Sequence, residues 1–204
     1  MSDHRGKRLI VAISGASGAI YAARLLKATS EIGLDVDLIA SDYGRRLLLE
    51  ELDWNLKTDP PKDWLDATYG EAERPGDIRQ LADSNLGASV ASGSQKRLGM
   101  AVVPCSMKTL AGIANGLSTN LVERAADVTL KEQRRLVIVP RETPLNLIQI
   151  ENMAKAARAG AAILPAMPGF YYGPKTLEDI ADFIVTRVLA LFDVECQLFP
   201  AWQG

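Results

Sequence analysis

Residues 8–19, which read Arg-Leu-Ile-Val-Ala-Ile-Ser-Gly-Ala-Ser-Gly-Ala, constrain the fold more than any other segment. The apolar run Leu9–Ile13 predicts a buried parallel strand, and the periodic apolar pattern from Ile20 predicts the helix after it. A strand that turns tightly into a helix exposes backbone N–H groups and the positive end of the helix dipole. The segment therefore predicts an α/β fold with a phosphate cradle.

The glycine spacing of this turn limits the ligand class. The motif is G-x-x-G, and it is neither the dinucleotide fingerprint G-x-G-x-x-G nor a P-loop, because no Gly-Lys-Ser/Thr follows. The second predicted strand ends in Ser41 instead of the acidic residue that binds a ribose. A mononucleotide phosphate such as that of FMN fits better than NAD. A tight turn whose glycines serve only packing is the alternative.

Composition bounds the broad class. A chain of 204 residues predicts one domain over 1–204, with residues 1–7 as a flexible arm. The net charge of −2 gives no basic surface for nucleic acid or an anionic membrane. Cys105 and Cys196 form neither a disulfide framework nor a metal spacing, which favours a reducing cytoplasm. Neither a signal peptide nor a membrane span is expected from the hydropathy pattern.

The histidine count excludes several mechanisms. The only histidine is His4, in the polar N-terminal arm. A Ser-His-Asp triad, a Cys-His pair and a histidine-based zinc site are therefore not expected. Acid–base chemistry falls to carboxylates, serines, lysines or tyrosines.

Strand and helix patterns alternate along the chain. Further strands are predicted at about residues 35–40, 100–103, 136–139 and 161–164, and helices at about 17–31, 41–52, 106–116, 120–133, 143–158 and 176–192. Asn120 with Glu123 resembles a capping box, and Thr143-Pro144 resembles a helix start. Prolines and glycines interrupt residues 53–97, which we interpret as an excursion outside the core. The pattern predicts a Rossmann-like parallel sheet with helices on both faces.

Polar segments follow the predicted strand ends, where parallel sheets bind ligands. Ser106 and Thr109 are placed to hydrogen-bond a phosphate or polar ring, and helix capping is the alternative. Arg141 and Glu142 put a cation beside a carboxylate, for ligand binding and proton transfer or as a structural ion pair. The five segments are Ser14–Ala19, Ser41-Asp42, Pro104–Thr109, Pro140–Thr143 and Pro165–Tyr172.

Remote cations and aromatic residues form a second group of candidates. Arg124 and Lys131 are seven residues apart on one helix face, where they clamp a phosphate or are simply solvated. Arg187 lies among apolar positions of the last helix. Its charge therefore requires either an anionic partner or a solvent-exposed location. Tyr171 belongs to an aromatic loop bracketed by glycines. The Trp202 ring is expected either to form a flat apolar surface of the site or to pack against a neighbouring subunit.

Taken together, these segments resemble the UbiX-type flavin prenyltransferases over nearly the whole chain, in order and spacing. The segment around residues 53–90 matches poorly. The matching stretches are Ile13–Tyr21, Ala91–Ser94, Val103–Leu110, Asn120–Val128, Leu130–Glu132, Val139–Pro144 and Leu164–Tyr171.

The resemblance implies a flavodoxin-like fold in a homo-oligomer, a dodecamer, with FMN at subunit interfaces. It implies metal-independent transfer of a dimethylallyl group from dimethylallyl phosphate to N5 and C6 of reduced FMN. The prenylated FMN then serves a UbiD-type decarboxylase in the cytoplasm.

The resemblance also assigns residues by motif. FMN would be held by Gly15, Ala16, Ser17, Ser41, Ser106, Met107, Lys108, Thr109 and Arg141. The prenyl phosphate would be bound by Ser92, Arg124, Lys131, Tyr171, Arg187 and Trp202. Glu142, Ser17 and Glu51 would be catalytic, with Glu142 as the acid–base group. Ala201 replaces the arginine that precedes this tryptophan in the family, which puts a role for the tail's charge in doubt.

Three other functions stay open on the sequence. A flavin-dependent cysteine decarboxylase shares the first turn but uses an active-site histidine, which this chain lacks outside His4. An FMN-dependent aromatic-acid decarboxylase and a non-enzymatic FMN carrier are the others. The surplus of cations beyond one FMN phosphate disfavours the carrier.

Overall fold

Six parallel strands form one sheet in the computed structural model, which describes residues 6–200. Their order is β3-β2-β1-β4-β5-β6, so the switch point of the sheet lies between β1 and β4. The five strands other than the edge strand β3 follow one another in the order of the flavodoxin-like fold. The predicted fold class is therefore confirmed. The elements are β1 Arg8–Ile13, α1 Ala19–Glu31, β2 Asp35–Ala40, α2 Asp42–Leu52, α3 Pro61–Tyr69, β3 Ile78–Ala82, a 3₁₀ turn Ser89–Ala91, β4 Gly99–Cys105, α4 Met107–Ala114, α5 Leu121–Lys131, β5 Arg135–Pro140, α6 Leu147–Arg158, β6 Ala162–Ile163 and α7 Leu177–Ala190.

Both faces of the sheet are buried, which is why its central strands are apolar without interruption. Leu9 and Val11 of β1 face one core, together with side chains of α1 and α7. Ile10 of the same strand faces the second core, with side chains of α4, α5 and α6. The side-chain alternation of a strand thus divides the apolar residues between two helical layers.

Parts of the segment at residues 53–97 belong to the core and to the sheet, so the predicted excursion outside the core is wrong for those parts. Trp54 is fully buried and stacks on Trp64 with ring centroids 4.3 Å apart. β3 pairs in parallel with β2, from Val36 opposite Ile78 to Ala40 opposite Ala82. An edge strand is half exposed and needs no continuous apolar run, so its sequence Ile-Arg-Gln-Leu-Ala carries little strand signal.

Two predicted helix starts are displaced. α6 begins at Leu147 and not at the predicted Thr143-Pro144, because Asn146 and Gln149 form a reciprocal capping box. α1 begins at Ala19, two residues after the predicted Ser17. Strand bounds agree more closely, since β2 starts and ends at the predicted residues and β1 starts one residue before the predicted apolar run.

A buried carboxylate ties the amino-end edge of the sheet together. Asp37 of β2 is fully buried and pairs with Arg97 at 2.8 Å, Arg79 at 2.8 Å and Arg8 at 3.2 Å. Buried charges persist only when they are paired in this way. The cluster joins β1, β2 and β3 to the segment before β4. Within residues 6–200, no helix is long and apolar enough to cross a membrane.

Candidate functional site

The turn after β1 is shaped by close backbone packing. Gly18 has φ 112°, and a Cβ atom there would lie 2.9 Å from the Tyr21 ring. A Cβ atom on Gly15 would lie 2.6 Å from Cβ of Tyr43. Packing therefore requires both glycines, whether or not a ligand is bound.

The start of α1 is covered by a carboxylate. Glu51 at the end of α2 accepts hydrogen bonds from the backbone N–H of Gly18 at 2.9 Å and of Ala19 at 2.8 Å. The expectation of free N–H groups at this helix start is wrong for these two residues. A carboxylate at a helix N-terminus is favourable because it meets the positive end of the dipole. The role predicted for Glu51 in catalysis stays a prediction.

The start of α4 has a different charge balance. Ser106 is the N-cap and accepts a hydrogen bond from the Thr109 N–H, as the capping alternative expected. No acidic residue lies in the first turn of this helix. The Ser106 N–H donates to Ser14 Oγ at 2.8 Å, which joins α4 to the turn after β1. The switch point thus brings together the two segments predicted to bind a phosphate.

Arg141 joins β5 to the same turn. Its Nε donates to the Ser17 carbonyl oxygen at 2.9 Å, and its backbone N–H donates to Cys105 O at 3.2 Å. Within the described residues Arg141 forms no ion pair with Glu142, whose Oε1 accepts from the Thr143 N–H at 3.0 Å. The structural ion pair considered for this dipeptide is therefore not formed.

Ser41 completes the group at the carboxyl-end edge of the sheet. Its N–H donates to Ile13 O at 2.9 Å, which places it beside the first turn. Its Oγ caps α2 by accepting from the Gly44 N–H at 3.1 Å. The predicted FMN-binding residues are thus neighbours in one protomer. They are Gly15, Ala16, Ser17, Ser41, Ser106, Met107, Lys108, Thr109 and Arg141.

The ammonium group of Lys108 is paired with a buried carboxylate. Its Nζ lies 3.0 Å from Oε1 of Glu123, although 74% of the Lys108 side chain is exposed. Glu123 is 1% exposed and also accepts from the N–H and Oγ1 of Thr119. Burial opposes its ionisation, but the bonds from Thr119 and Lys108 outweigh burial and lower the pKa of Glu123. The predicted capping box is half formed, since the Asn120 side chain accepts from the Glu123 N–H, whereas the Glu123 carboxylate accepts from the Thr119 N–H instead of the Asn120 N–H.

Tyr171 and Arg187 line a separate cavity of about 760 Å³ beside α7. The Tyr171 ring meets Phe183 edge to face, with centroids 6.1 Å apart. The Arg187 guanidinium carbon lies 5.4 Å from the centre of the same Phe183 ring. Cys196 also lines the cavity, and burial raises the pKa of its thiol. The cavity combines a cation with aromatic faces.

Among the other predicted phosphate ligands, Arg124 and Lys131 lie on α5, and Ser92 directly follows the 3₁₀ turn Ser89–Ala91. Arg124 pairs with Asp127 at 2.9 Å, and Lys131 lies 3.5 Å from a Glu132 oxygen. Lys131 ends α5 just before β5 begins, whereas Arg141 follows the carboxyl end of β5. The six residues of β5 span about 20 Å. One protomer therefore does not bring Lys131 to the FMN-binding residues.

Several contacts have no signal in the local sequence pattern. The capping of α1 by Glu51 and the burial of Glu123 depend on residue pairs from different elements. Cys105 is fully buried, and burial raises the pKa of its thiol to about 12, which makes it a poor nucleophile. Trp202, Ala201 and His4 lie outside the described residues.

The donor set at the carboxyl-end edge fits a flavin mononucleotide. A phosphate monoester binds to helix N-terminal N–H groups, hydroxyls and a guanidinium. The α4 start, Ser17, Ser41 and Arg141 supply these groups, and the α4 start has no competing carboxylate in its first turn. No cluster of three or more His, Cys, Asp or Glu side chains suited to a metal occurs in residues 6–200.

Comparison with known proteins shows the family to which this chain belongs. The family model described as Flavoprotein matches residues 1–189. "Flavin prenyltransferase UbiX" of Halalkalibacterium halodurans is 48% identical over 192 residues, covering 94% of this chain and 91% of its own length.

Two solved structures are similar over nearly the whole chain. The dodecameric FMN-dependent UbiX-like decarboxylase of Escherichia coli O157:H7 has a TM-score of 0.85 at 39% identity, covering 97% of this chain and 100% of its own. AnUbiX (PadA1) in complex with FMN and dimethylallyl pyrophosphate has a TM-score of 0.87 at 38% identity, covering 98% and 99%. The chain belongs to the UbiX flavin prenyltransferases, a branch of the flavoprotein family.

Proposed function

We propose that this chain transfers a dimethylallyl group from dimethylallyl phosphate to reduced FMN. The observation that carries this conclusion is the full-length similarity to flavin prenyltransferases, which includes a relative bound to both FMN and a dimethylallyl donor. The chain is a transferase in this reading, and its FMN serves as the acceptor.

The residues at the carboxyl-end edge bind the flavin in this proposal. Arg141 and the first turn of α4 hold the phosphate and the polar ring edge, while the Ser17 turn approaches the ring. Reduced FMN supplies the nucleophilic N5 and C6 positions when it is bound. Glu142 is the acid–base group of the transfer in this proposal, and Ser17 relays protons near N5. Glu51 holds the turn that carries Ser17 in place, through Gly18 and Ala19.

The cations stabilise the departing phosphate. Concentrated negative charge on a leaving group is stabilised by positioned cations, and Arg124, Lys131 and Arg187 supply them, together with the hydroxyls of Ser92 and Tyr171. Aromatic faces such as those of Tyr171 and Trp202 stabilise positive charge developing on the allylic carbon.

The site is shared between copies of the chain in this proposal. Lys131 and Arg141 are separated by the length of β5, which exceeds the reach of one small substrate. Assembly of copies brings the α5 end of one protomer to the flavin of another. The dodecameric relative from Escherichia coli supports such an assembly. Delivery of the product to a UbiD-type decarboxylase in the cytoplasm is part of the same proposal.

Mass spectrometry tests the reaction directly. The purified protein is incubated anaerobically with reduced FMN and either dimethylallyl phosphate or dimethylallyl diphosphate. The molecular mass of the extracted flavin is then measured. We expect the mass of FMN to increase by one C5 unit with the monophosphate. An unchanged flavin mass with both donors contradicts the transferase.

A decarboxylase is the second candidate function, because the similar Escherichia coli protein is described as an FMN-dependent decarboxylase. The matched assay supplies an aromatic acid and FMN without a prenyl donor. Release of CO₂ by the isolated chain favours this candidate. Bound FMN with neither release of CO₂ nor prenylation favours the carrier.

A further inference from the structure

The segment Ser89–Arg97 lies before β4 and is fixed at both of its ends. Oγ of Ser89 accepts from Nη2 of Arg97 at 2.9 Å and from Nη2 of Arg79 at 3.2 Å. Arg97 in turn donates from Nε to the buried Asp37 carboxylate at 2.8 Å. The two ends of the segment therefore form part of the rigid amino-end edge of the sheet.

The middle of the segment is fixed by a single side chain. Arg134 donates from Nη2 to the Gly93 carbonyl oxygen at 2.7 Å and from Nη1 to the Gln95 carbonyl oxygen at 2.8 Å. The Arg134 N–H donates to Thr129 O at 2.9 Å, so its own backbone is anchored to the last turn of α5. A guanidinium that bridges two carbonyl oxygens holds a loop more firmly than a single neutral hydrogen bond does.

This contact places the loop beside Lys131. A Cβ atom on Gly93 would lie 2.1 Å from Oε1 of Glu132, so the loop backbone packs directly on that carboxylate. The same Glu132 oxygen lies 3.5 Å from Lys131 Nζ. The hydroxyls of Ser92 and Ser94 are 3.0 Å apart at the exposed tip of the loop. The loop tip thus presents its hydroxyls next to the cation that ends α5.

We propose that Arg134 is a positioning residue for the prenyl donor. It holds the carbonyl groups of Gly93 and Gln95, and thereby keeps the Ser92 hydroxyl beside Lys131. Arg134 acts through the loop, because two of its donor nitrogens are bonded to loop carbonyls. The inference rests on the proposed function, since it assigns the loop to the donor's phosphate and leaves the FMN residues to the opposite edge.

Steady-state kinetics of Arg134→Gln tests the role, with Arg135→Gln as the matched control. Arg135 is the next residue and is exposed, so the control removes the same charge without touching the loop. Loss of two hydrogen bonds predicts a rise of about tenfold in the KM for dimethylallyl phosphate in Arg134→Gln. We expect kcat and the Kd for FMN to stay within about twofold of the wild type, and the control to match the wild type.

Arg134→Lys provides the conservative rescue. Lysine keeps the charge but loses the fork that reaches both carbonyls, so its KM should lie between those of the wild type and Arg134→Gln. An equal rise of KM in Arg134→Gln and Arg135→Gln overturns the proposal, because the effect is then one of net charge. Equal losses of FMN affinity and donor affinity in Arg134→Gln overturn it as well. If Arg134→Gln does not fold, Arg134→Lys decides, since an unchanged KM there also overturns the proposal.

Hydrogen exchange separates this inference from the proposed function. Amide exchange in residues 92–95 should be faster in Arg134→Gln than in Arg135→Gln, with or without any prenyl transfer. Unchanged exchange overturns the anchoring itself. A wild-type protein that leaves the mass of FMN unchanged overturns the proposed function and with it the link to the donor.

Discussion

Arg141 Nε donates to the Ser17 carbonyl oxygen at 2.9 Å, although the two residues are 124 positions apart in the chain. This bond joins the carboxyl ends of β5 and β1 across the switch point of the sheet. It uses the Nε donor of the guanidinium, and within residues 6–200 no hydrogen bond engages its Nη groups. Arg141 therefore braces the turn, and in the proposed function its charge also binds the flavin phosphate.

Replacement of Arg141 by lysine should weaken FMN binding by about tenfold or more, because a charge-assisted hydrogen bond is lost and an ammonium does not reproduce the fork. Fluorescence titration with FMN measures the Kd. Arg158→Lys is the matched control, since Arg158 is exposed at the end of α6. Equal Kd values for both variants would remove Arg141 from the flavin site.

Replacement of Glu51 by alanine should lower the free energy of unfolding by about 1 kcal/mol, because the N–H groups of Gly18 and Ala19 lose their acceptor. Urea unfolding measures the change. Glu50→Ala is the control, since this adjacent carboxylate forms an exposed ion pair with Arg46, whereas the two N–H groups of the α1 start donate to Glu51. Glu51→Gln retains an acceptor oxygen and should regain part of the stability. Equal stability of the Glu51→Ala and Glu50→Ala proteins would exclude the capping role.

Mixed oligomers test the shared site. Arg141→Ala and Lys131→Ala should each have little prenyl transfer activity. Random co-assembly should restore about a quarter of the sites, namely those that take an intact Arg141 from one copy and an intact Lys131 from a neighbour. The flavin mass assay on co-expressed, size-selected oligomers measures the recovery. Mixed oligomers no more active than their parents would place both residues in sites within one chain.

The Glu123 carboxylate makes stability depend on pH. Its pKa is lowered in the folded protein, because hydrogen bonds from Thr119 and Lys108 outweigh burial. The unfolded chain therefore binds the proton more readily. The stabilisation is complete above the unfolded pKa of about 4.3 and is lost as the pH falls through the lower folded pKa.

Glu123→Gln should flatten this acid limb of the stability curve. Thermal unfolding between pH 3 and 7, at intervals of about half a unit, measures the slope for both proteins. Glu151→Gln, at an exposed position of α6, is the control and should keep the slope of the wild type. An unchanged slope in the Glu123 variant would show that its carboxylate contributes nothing to acid unfolding.

The sequence was sufficient for features that depend on local pattern. Continuous apolar runs predicted the central strands, because a parallel sheet covered on both faces leaves no polar positions in them. The turn Ser14–Ala19 predicted a mononucleotide such as FMN as the ligand class, which agrees with the match to the flavoprotein family. Edge strand β3 was not predicted, because a half-exposed strand lacks this continuous apolar run.

Only the tertiary structure decided which charged groups meet. Glu51 covers the start of α1. Two of the N–H groups that were predicted to be free there, those of Gly18 and Ala19, therefore donate to its carboxylate. Lys131 and Arg141 lie at opposite ends of β5, although both were assigned to one site. Strand and helix formation follow from neighbouring residues, whereas side-chain pairing depends on distances between remote elements. The sequence by itself therefore determined the fold and the ligand class, and the three-dimensional packing decided which of the predicted site residues lie together in one protomer.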